Sequence, residues 1–419
     1  MNDLTPITRR AVALDIIRLA RDKYIFPEKG LETARAIESH LEQGHYEGIL
    51  DPYEFADRLT SDLRQASKDQ HWSVMYDSTL TSTLYAREEE QTEEGLAQLK
   101  ESIYRANFGI EKVEHLKGNI GYVDVHGLAW IGFPRAGDTI VATMQLISHC
   151  DALIFDMRQN GGGEVETLQL YISYFVSVDP KLYDSFYYRP TGETQQLWTL
   201  PYVPGERMPD VPIYILTSGG TASGGEAFAY ILQSMGRATV IGEATLGAAH
   251  TTDMETVQEH FQVEFPSGRS INPFTKEDWE GSGVQPDMPV PCEDALKVAH
   301  LLALERLIQA CTDEQRNREL GWDLEIARNI YTPVTVDEAT LDRYVGQYGD
   351  RAFRVTDGSL IYTRHGAAVT RLIPLAENRF LLPDWAKFEF GLPGQGASAS
   401  VTISYQDGRP TVTIAREKR

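Results

Sequence analysis

Cysteine is scarce in this 419-residue chain, with only Cys150, Cys292 and Cys311. An odd count with no CxxC pair excludes a disulfide-stapled fold and the usual zinc-ribbon spacings. Buried free thiols are the expectation. Long apolar runs are missing as well. No stretch approaches the roughly 18 residues that a membrane-spanning helix requires, so no membrane span is expected. The first 25 residues contain Arg9, Arg10, Asp15, Arg18, Arg21 and Asp22, which reads as an amphipathic helix and not as a secretory signal. The chain as given therefore reads as cytoplasmic, and as extracytoplasmic if a signal peptide has been removed. Positive charge is in deficit: 39 Lys and Arg stand against 61 Asp and Glu, a formal net charge of −22. That balance argues against a nucleic-acid partner and against an anionic membrane surface.

What is present is a globular composition. Hydrophobic residues make up 42% and charged residues 24%, enough apolar material for buried cores and too little charge for a wholly disordered chain. The length suits two or three domains. Three are expected: a helical domain over 1–108, an α/β core over 109–335 and a small β domain over 336–419.

In the first of these, Val12, Ile16, Leu19 and Ala20 form one helical stripe, and Leu31, Ala34, Ile37 and Leu41 another. Leu59 and Leu63 continue the habit. The acid-rich run between Arg87 and Lys100 reads as a solvated helix. From about residue 118 the texture becomes β/α. Ile120–Val125, Ala152–Asp156, Val211–Leu216 and Ala238–Ile241 read as strands, with helices over about 137–150, 164–176 and 224–235 between them. Strands buried on both faces and alternating with helices predict a partly parallel sheet. A single long helical region is expected from Ala295 to about Ile330, with Leu296, Leu301, Leu304 and Ile308 as its apolar face. Beyond Val336, turn signals such as Asp357-Gly358, Gly394-Gln395-Gly396 and Asp407-Gly408 punctuate short strands.

Two strands run into glycine-rich loops, which places both loops at one edge of the sheet, where α/β sites tend to lie. The first loop is Asp156-Met157-Arg158-Gln159-Asn160-Gly161-Gly162-Gly163. Its glycines can present N–H groups to an anion, although it fits neither the P-loop nor the dinucleotide pattern. The second is Thr217-Ser218-Gly219-Gly220-Thr221-Ala222-Ser223-Gly224-Gly225-Glu226. A serine at a helix N-terminus has N–H groups aimed at any negative charge that forms beside it. The same serine would equally serve as a plain N-cap. Position 221 is Thr, so this is not the GxSxG elbow.

Together with RATVIGEATLGAAH and INPFTKEDWEGSGVQPDMPV, these loops resemble the serine peptidases of family S41. That family includes the tail-specific proteases, the tricorn core and the repeats of interphotoreceptor retinoid-binding protein. The resemblance covers roughly residues 10–310 and implies a ClpP/crotonase-like core. By the family's pattern Ser223 would be the nucleophile. The oxyanion hole would come from Gly224 and a glycine of 161–163, Gly163 ahead of Gly162. No PDZ-like insertion is present. The Lys of the tail-specific Ser–Lys dyad falls on Ala248, which cannot accept a proton, so the base must come from elsewhere.

Two histidines offer themselves. His71, in Lys68-Asp69-Gln70-His71-Trp72, resembles the base of the tricorn branch. His250 lies two residues beyond Ala248, on the same face of an extended chain. Glu280 resembles the tricorn acidic member and is expected to orient the donors directly or through Gln70. Either imidazole would titrate near roughly 6.5 if unperturbed. No HExxH, paired CxxC or EF-hand loop appears, so no metal and no cofactor is expected. The C-terminal β domain is similar to small lipocalin-like modules, on the strength of Tyr344–Tyr348 and Leu372–Leu375. The reading is a serine peptidase acting on a peptide or protein substrate, with homo-oligomerisation left open. The alternatives are a non-catalytic binding module for apolar ligands and a small-molecule esterase or amidase.

Overall fold

The computed structural model describes residues 4–78, 93–258, 260–364, 368–383, 385–391 and 398–417. The chain divides into two compact units, one of residues 1–114 with 121–296 and the other of residues 115–120 with 297–419.

The first unit opens with three helices, α1 (Pro6–Asp22), α2 (Pro27–Glu42) and α3 (Pro52–Ser67). Each has a proline in its first turn, where a missing N–H costs nothing. Thr5 and Asp51 cap α1 and α3 by accepting backbone N–H groups. The apolar stripe of α1 is buried as expected. On α2 the expectation is corrected at Leu31, which is exposed, while Gly30 and Thr33 turn inward. The reason is close packing: a Cβ on Gly30 would stand 2.2 Å from the Ala20 carbonyl oxygen, so the helices meet there backbone to backbone.

A short strand β1 (Ser73–Tyr76) and helix α4 (Glu93–Arg105) follow. Residues 87–92 of the acid-rich run lie outside the described residues. Strands β2 (Ile110–Leu116), β3 (Ile120–Val125) and β4 (Ala152–Asp156) come next, with α5 (Ala136–Leu146) before β4 and α6 (Val165–Tyr174) after it. A hairpin, β5 (Leu182–Tyr188) and β6 (Glu193–Trp198), precedes β7 (Ile213–Thr217), α7 (Gly224–Ser234) and β8 (Ala238–Gly242). The unit closes with β9 (His250–Val257), β10 (Phe261–Ser270) and β11 (Met288–Pro289).

These strands form two sheets. One has the order β11-β8-β7-β4-β3-β2, and β4, β7, β8 and β11 run parallel. Every residue of β4 and β7 is buried, which is why both read as unbroken apolar runs. The other sheet, β1-β10-β5-β6 with β9 also on β10, is antiparallel throughout. Phe155, Phe175 and Phe228 centre the core of the parallel sheet. Trp72, Phe55 and Phe265 belong to the core of the helical layer and the antiparallel sheet.

In the second unit the long helical region is two helices, α8 (Ala295–Ala310) and α9 (Glu314–Tyr331). The break falls where the Asp313 side chain accepts the Arg316 N–H and starts a new N-terminus. Beyond a single-turn helix at Glu338–Leu341, the rest is β, as expected. The described strands between 346 and 371 form a four-stranded antiparallel sheet and those between 373 and 415 a five-stranded one, around Tyr344, Phe353, Phe388 and Phe390. The turn signal at 394–396 lies outside the described residues. Among the described residues no helix is long and apolar enough to cross a membrane.

Candidate active site

Parallel pairing of β4 with β7, Asp156 opposite Leu216, brings the two glycine-rich loops to one edge of the sheet. Short bonds lace them together. The Ser218 hydroxyl donates to the Arg158 carbonyl, the Thr221 hydroxyl to the Met157 carbonyl, and the Ala222 N–H to the Asn160 carbonyl. Asn160 is fully buried and its side chain bonds in both directions, to the Val125 carbonyl and from the Gly162 N–H.

Ser223 stands at the head of α7, exposed, with φ 48° and ψ −119°. A side chain rarely adopts that backbone conformation, and holding one there costs on the order of 1–3 kcal/mol. Its N–H donates to Glu226 Oε2 at 2.8 Å. Gly162 and Gly163 have φ +107° and +135° and pass so close that a Cβ on Gly162 would lie 2.7 Å from that of Ser223. The Gly162 N–H is spent on Asn160. Gly163 and Gly224 are left: a Cβ on Gly224 would lie 3.1 Å from the Gly163 nitrogen, so the two peptides are neighbours. Among the described residues neither of their N–H groups has a hydrogen-bond acceptor. Two adjacent free donors beside a hydroxyl can hold an oxyanion.

The titratable groups come from the turn before β1, the start of β9 and the loop beyond β10. Lys68 ends α3 in a left-handed turn, Asp69 follows, and buried Trp72, stacked on Tyr24, anchors the chain before β1. His71 Nδ1 lies 3.0 Å from Asp69 Oδ1 and 3.4 Å from Glu280 Oε1. His250 opens β9, and its Nδ1 lies 2.7 Å from Asp69 Oδ2 and 3.6 Å from Glu280 Oε2. The Tyr24 hydroxyl donates to Asp69 Oδ2. Thus both histidines converge with both carboxylates. Of the two expected routes from Glu280, direct or through Gln70, the structure has the direct one: Glu280 lies beside His71, Gln70 is exposed, and Asp69 is the second link.

The histidines differ in their outer nitrogens. His71 is partly exposed, and its Nε2 has no hydrogen bond among the described residues. The Nε2 of His250 is enclosed in the protein with no partner among the described residues. No hydrogen bond joins Ser223 to either ring among the described residues. Burial alone would lower the His71 pKa, but the hydrogen bonds its ring donates to Asp69 and Glu280, with their charges, override it and push it up to about 10. Burial alone would raise Asp69, but its bonds to His250 and His71 hold it well below the usual carboxylate range.

One further carboxylate, passed over in the sequence, joins the two halves. Glu226 is fully buried and accepts from Ser223 N–H, the Thr245 hydroxyl, Gly247 N–H and Ala248 N–H at 2.5–2.8 Å. The next two N–H groups along the chain, of Ala249 and His250, donate to Glu280 Oε2. The segment 247–250 is therefore pinned to the Ser223 loop at one end and to the histidine cluster at the other. Asp69, His71, His250 and Glu280 also form a donor set able to hold a metal ion, as do Glu243, Cys292 and Glu293. In the first set the carboxylates are already engaged with the two Nδ1 atoms.

Residues 119–290 match the family model of peptidase family S41, and residues 8–111 match that of the N-terminal domain of Peptidase_S41 in eukaryotic IRBP. Among solved structures, a candidate peptidase from Parabacteroides merdae is 19% identical, aligned over 73% of this chain and 99% of its own, with a TM-score of 0.53. A mutant of CPAF is 11% identical over 73% of this chain and 99% of its own, with a TM-score of 0.50. The photosystem II D1 C-terminal processing protease is 13% identical over 68% and 94%, with a TM-score of 0.45. The first two similarities are similarities of fold.

Proposed function

From the premise that this chain belongs to peptidase family S41 and is a serine peptidase, we propose that Ser223 is its nucleophile and His71 its general base. The observation that carries this reading is the seat of Ser223. A strained residue at a helix N-terminus, pressed against Gly162 and flanked by the free N–H groups of Gly163 and Gly224, is arranged for acyl transfer.

In this reading Ser223 Oγ adds to the peptide carbonyl carbon, and its proton passes to His71 Nε2. The oxyanion sits against Gly163 and Gly224, where losing one donor costs about 100–1,000-fold in rate. As the C–N bond breaks, His71 returns the proton to the leaving amine, and an ester of Ser223 remains. Water then attacks that ester, again giving its proton to His71, and the acid product leaves as Ser223 is reprotonated. Asp69 and Glu280 hold Nδ1, which leaves Nε2 as the nitrogen that moves the proton. Ala248 removes the tail-specific lysine, so a histidine carries its task. His250 serves behind Asp69 as a positioning residue, and Glu226 does the same beneath Ser223.

The test is covalent labelling with a fluorophosphonate and mapping of the modified residue. Ser223 should carry the adduct, and Ser223→Ala should lose both labelling and peptide hydrolysis. An adduct elsewhere, or hydrolysis retained by a clean Ser223→Ala preparation, removes Ser223 from the mechanism.

A further inference from the structure

We propose that the cleft between α6 and the β5–β6 hairpin receives a lysine or arginine side chain of the substrate, next to the scissile bond. The inference rests on Ser223 being the nucleophile and adds the chemistry of what it cuts. The cleft has a volume of about 570 Å³, and its walls continue the machinery on two sides. Glu164 in its lining directly follows Gly163, and Thr251 directly follows His250.

Its lining is negative, with no Lys or Arg among the described residues that form it. Glu164, Glu166 and Glu193 all face it, and among the described residues none of the three is ion-paired. Among the described residues the Glu193 carboxylate accepts only the Thr191 hydroxyl, at 3.2 Å. A second observation is independent of these carboxylates. Tyr183 lines the same cleft, is fully buried, and its hydroxyl has no hydrogen-bond partner among the described residues. Buried polar groups left unpaired are rare in native proteins and call for an explanation. Burial, together with the nearby charges of Asp184 and Glu166, keeps this phenol from ionising, so it offers a neutral oxygen. The rings of Phe186 and Tyr188 complete the wall. An aliphatic stem can pack on those rings while its cationic head meets the carboxylates and the phenol oxygen. An acidic side chain would be repelled, and an aliphatic one would leave the polar groups unmatched.

The test uses the full chain and two separate readouts. Fluorophosphonate labelling of Ser223 reports the nucleophile independently of any peptide. Values of kcat/KM on matched peptides, with arginine, citrulline, leucine or glutamate placed at each position flanking the bond, report the cleft. Arginine should exceed citrulline by at least about tenfold at one of these positions, and the margin should shrink in high salt. In Glu166→Gln/Glu193→Gln the margin should fall to about twofold or less, and Glu166→Asp should keep most of it. An enzyme that labels at Ser223 and cleaves, yet treats arginine and citrulline alike or prefers glutamate, overturns this inference and leaves the nucleophile in place. A protein that neither labels at Ser223 nor cleaves any of the peptides overturns both.

Discussion

Asp69 Oδ1 stands 3.0 Å from His71 Nδ1, while the other oxygen of the same carboxylate stands 2.7 Å from His250 Nδ1. One buried acid thus holds two imidazoles. With Glu280 on the far side, the pair of carboxylates favours the charged form of His71 and sets the pH behaviour of the site.

A base must be neutral to accept a proton. With its pKa pushed up to about 10, His71 is mostly protonated at neutrality. That lies well above the roughly 6.5 of an unperturbed imidazole. The pH profile of kcat/KM should keep rising well above neutrality, toward the alkaline range, and not level off near pH 7. A plateau already reached at pH 7 would show that Asp69 and Glu280 do not hold the ring in solution as they do here.

Stability should move the opposite way. A raised folded pKa means the imidazolium is favoured by folding, so the His71 contribution is complete below its unfolded value of roughly 6.5. It is lost as pH climbs through about 10. Asp69 is depressed, so its contribution is complete above roughly 3.9 and is lost only in strong acid. The stability difference between wild type and His71→Gln, measured by denaturant unfolding, should be largest between about pH 4 and 6.5 and shrink by pH 10. A gap that widens with pH would contradict the assignment.

Much of this was legible along the chain, and the rest was not for a physical reason. Runs buried on both faces announce β4 and β7, and glycines after each announce the loops. Ser223, Gly163 and Gly224 lie in those loops, whereas their roles and that of His71 were expected from the family resemblance. The links among them are long-range. Asp69 meets His250 across 181 residues, and Glu226 meets Ala248 through backbone N–H groups that have no sequence signature. Asp69 did carry one local signal, since an Asp two residues before His71 bonds that residue's own N–H in a turn. The inward turn of Gly30 and Thr33 in place of Leu31 was hidden because a close helix contact, and not hydrophobicity, decides that face.

The two carboxylates should separate under mutation. Glu280→Gln removes one partner of His71 and weakens the pin on Ala249 and His250. Asp69→Asn strips both histidines and the Tyr24 hydroxyl of their shared acceptor. Rate losses of about 100- to 10,000-fold are expected, larger for Asp69→Asn. In both variants the rise of kcat/KM should shift to lower pH, because the charged ring has lost support. An unchanged pH profile would assign the carboxylates a merely structural role.

Glu226 offers a test at a distance from the substrate. Its carboxylate accepts four donors, so Glu226→Gln turns an acceptor into a donor facing N–H groups. A loss of roughly 2–4 kcal/mol in unfolding free energy is expected, with kcat falling more than KM rises. A variant with wild-type stability and kcat would show that Ser223 keeps its seat without this support.

The strain at Ser223 is measurable in the absence of catalysis. Ser223→Ala and Ser223→Gly are both expected to be inactive, but glycine accepts φ 48° and ψ −119° where alanine does not. Ser223→Gly should be the more stable of the two by about 1–2 kcal/mol in denaturant unfolding. Equal stabilities, or a more stable alanine variant, would mean that no strain is stored there.

Ser223 and His71 are proposed to act as one unit, although no hydrogen bond joins them among the described residues; such contacts are often long in a free enzyme. That unit is tested most directly by kcat/KM for Ser223→Ala, His71→Ala and the double variant, with His250→Ala beside them. The account predicts that His71→Ala costs nearly as much as Ser223→Ala, that the double variant is little worse than either, and that His250→Ala is milder. A His71→Ala enzyme that stays active while His250→Ala is dead would contradict it and move the base to the start of β9.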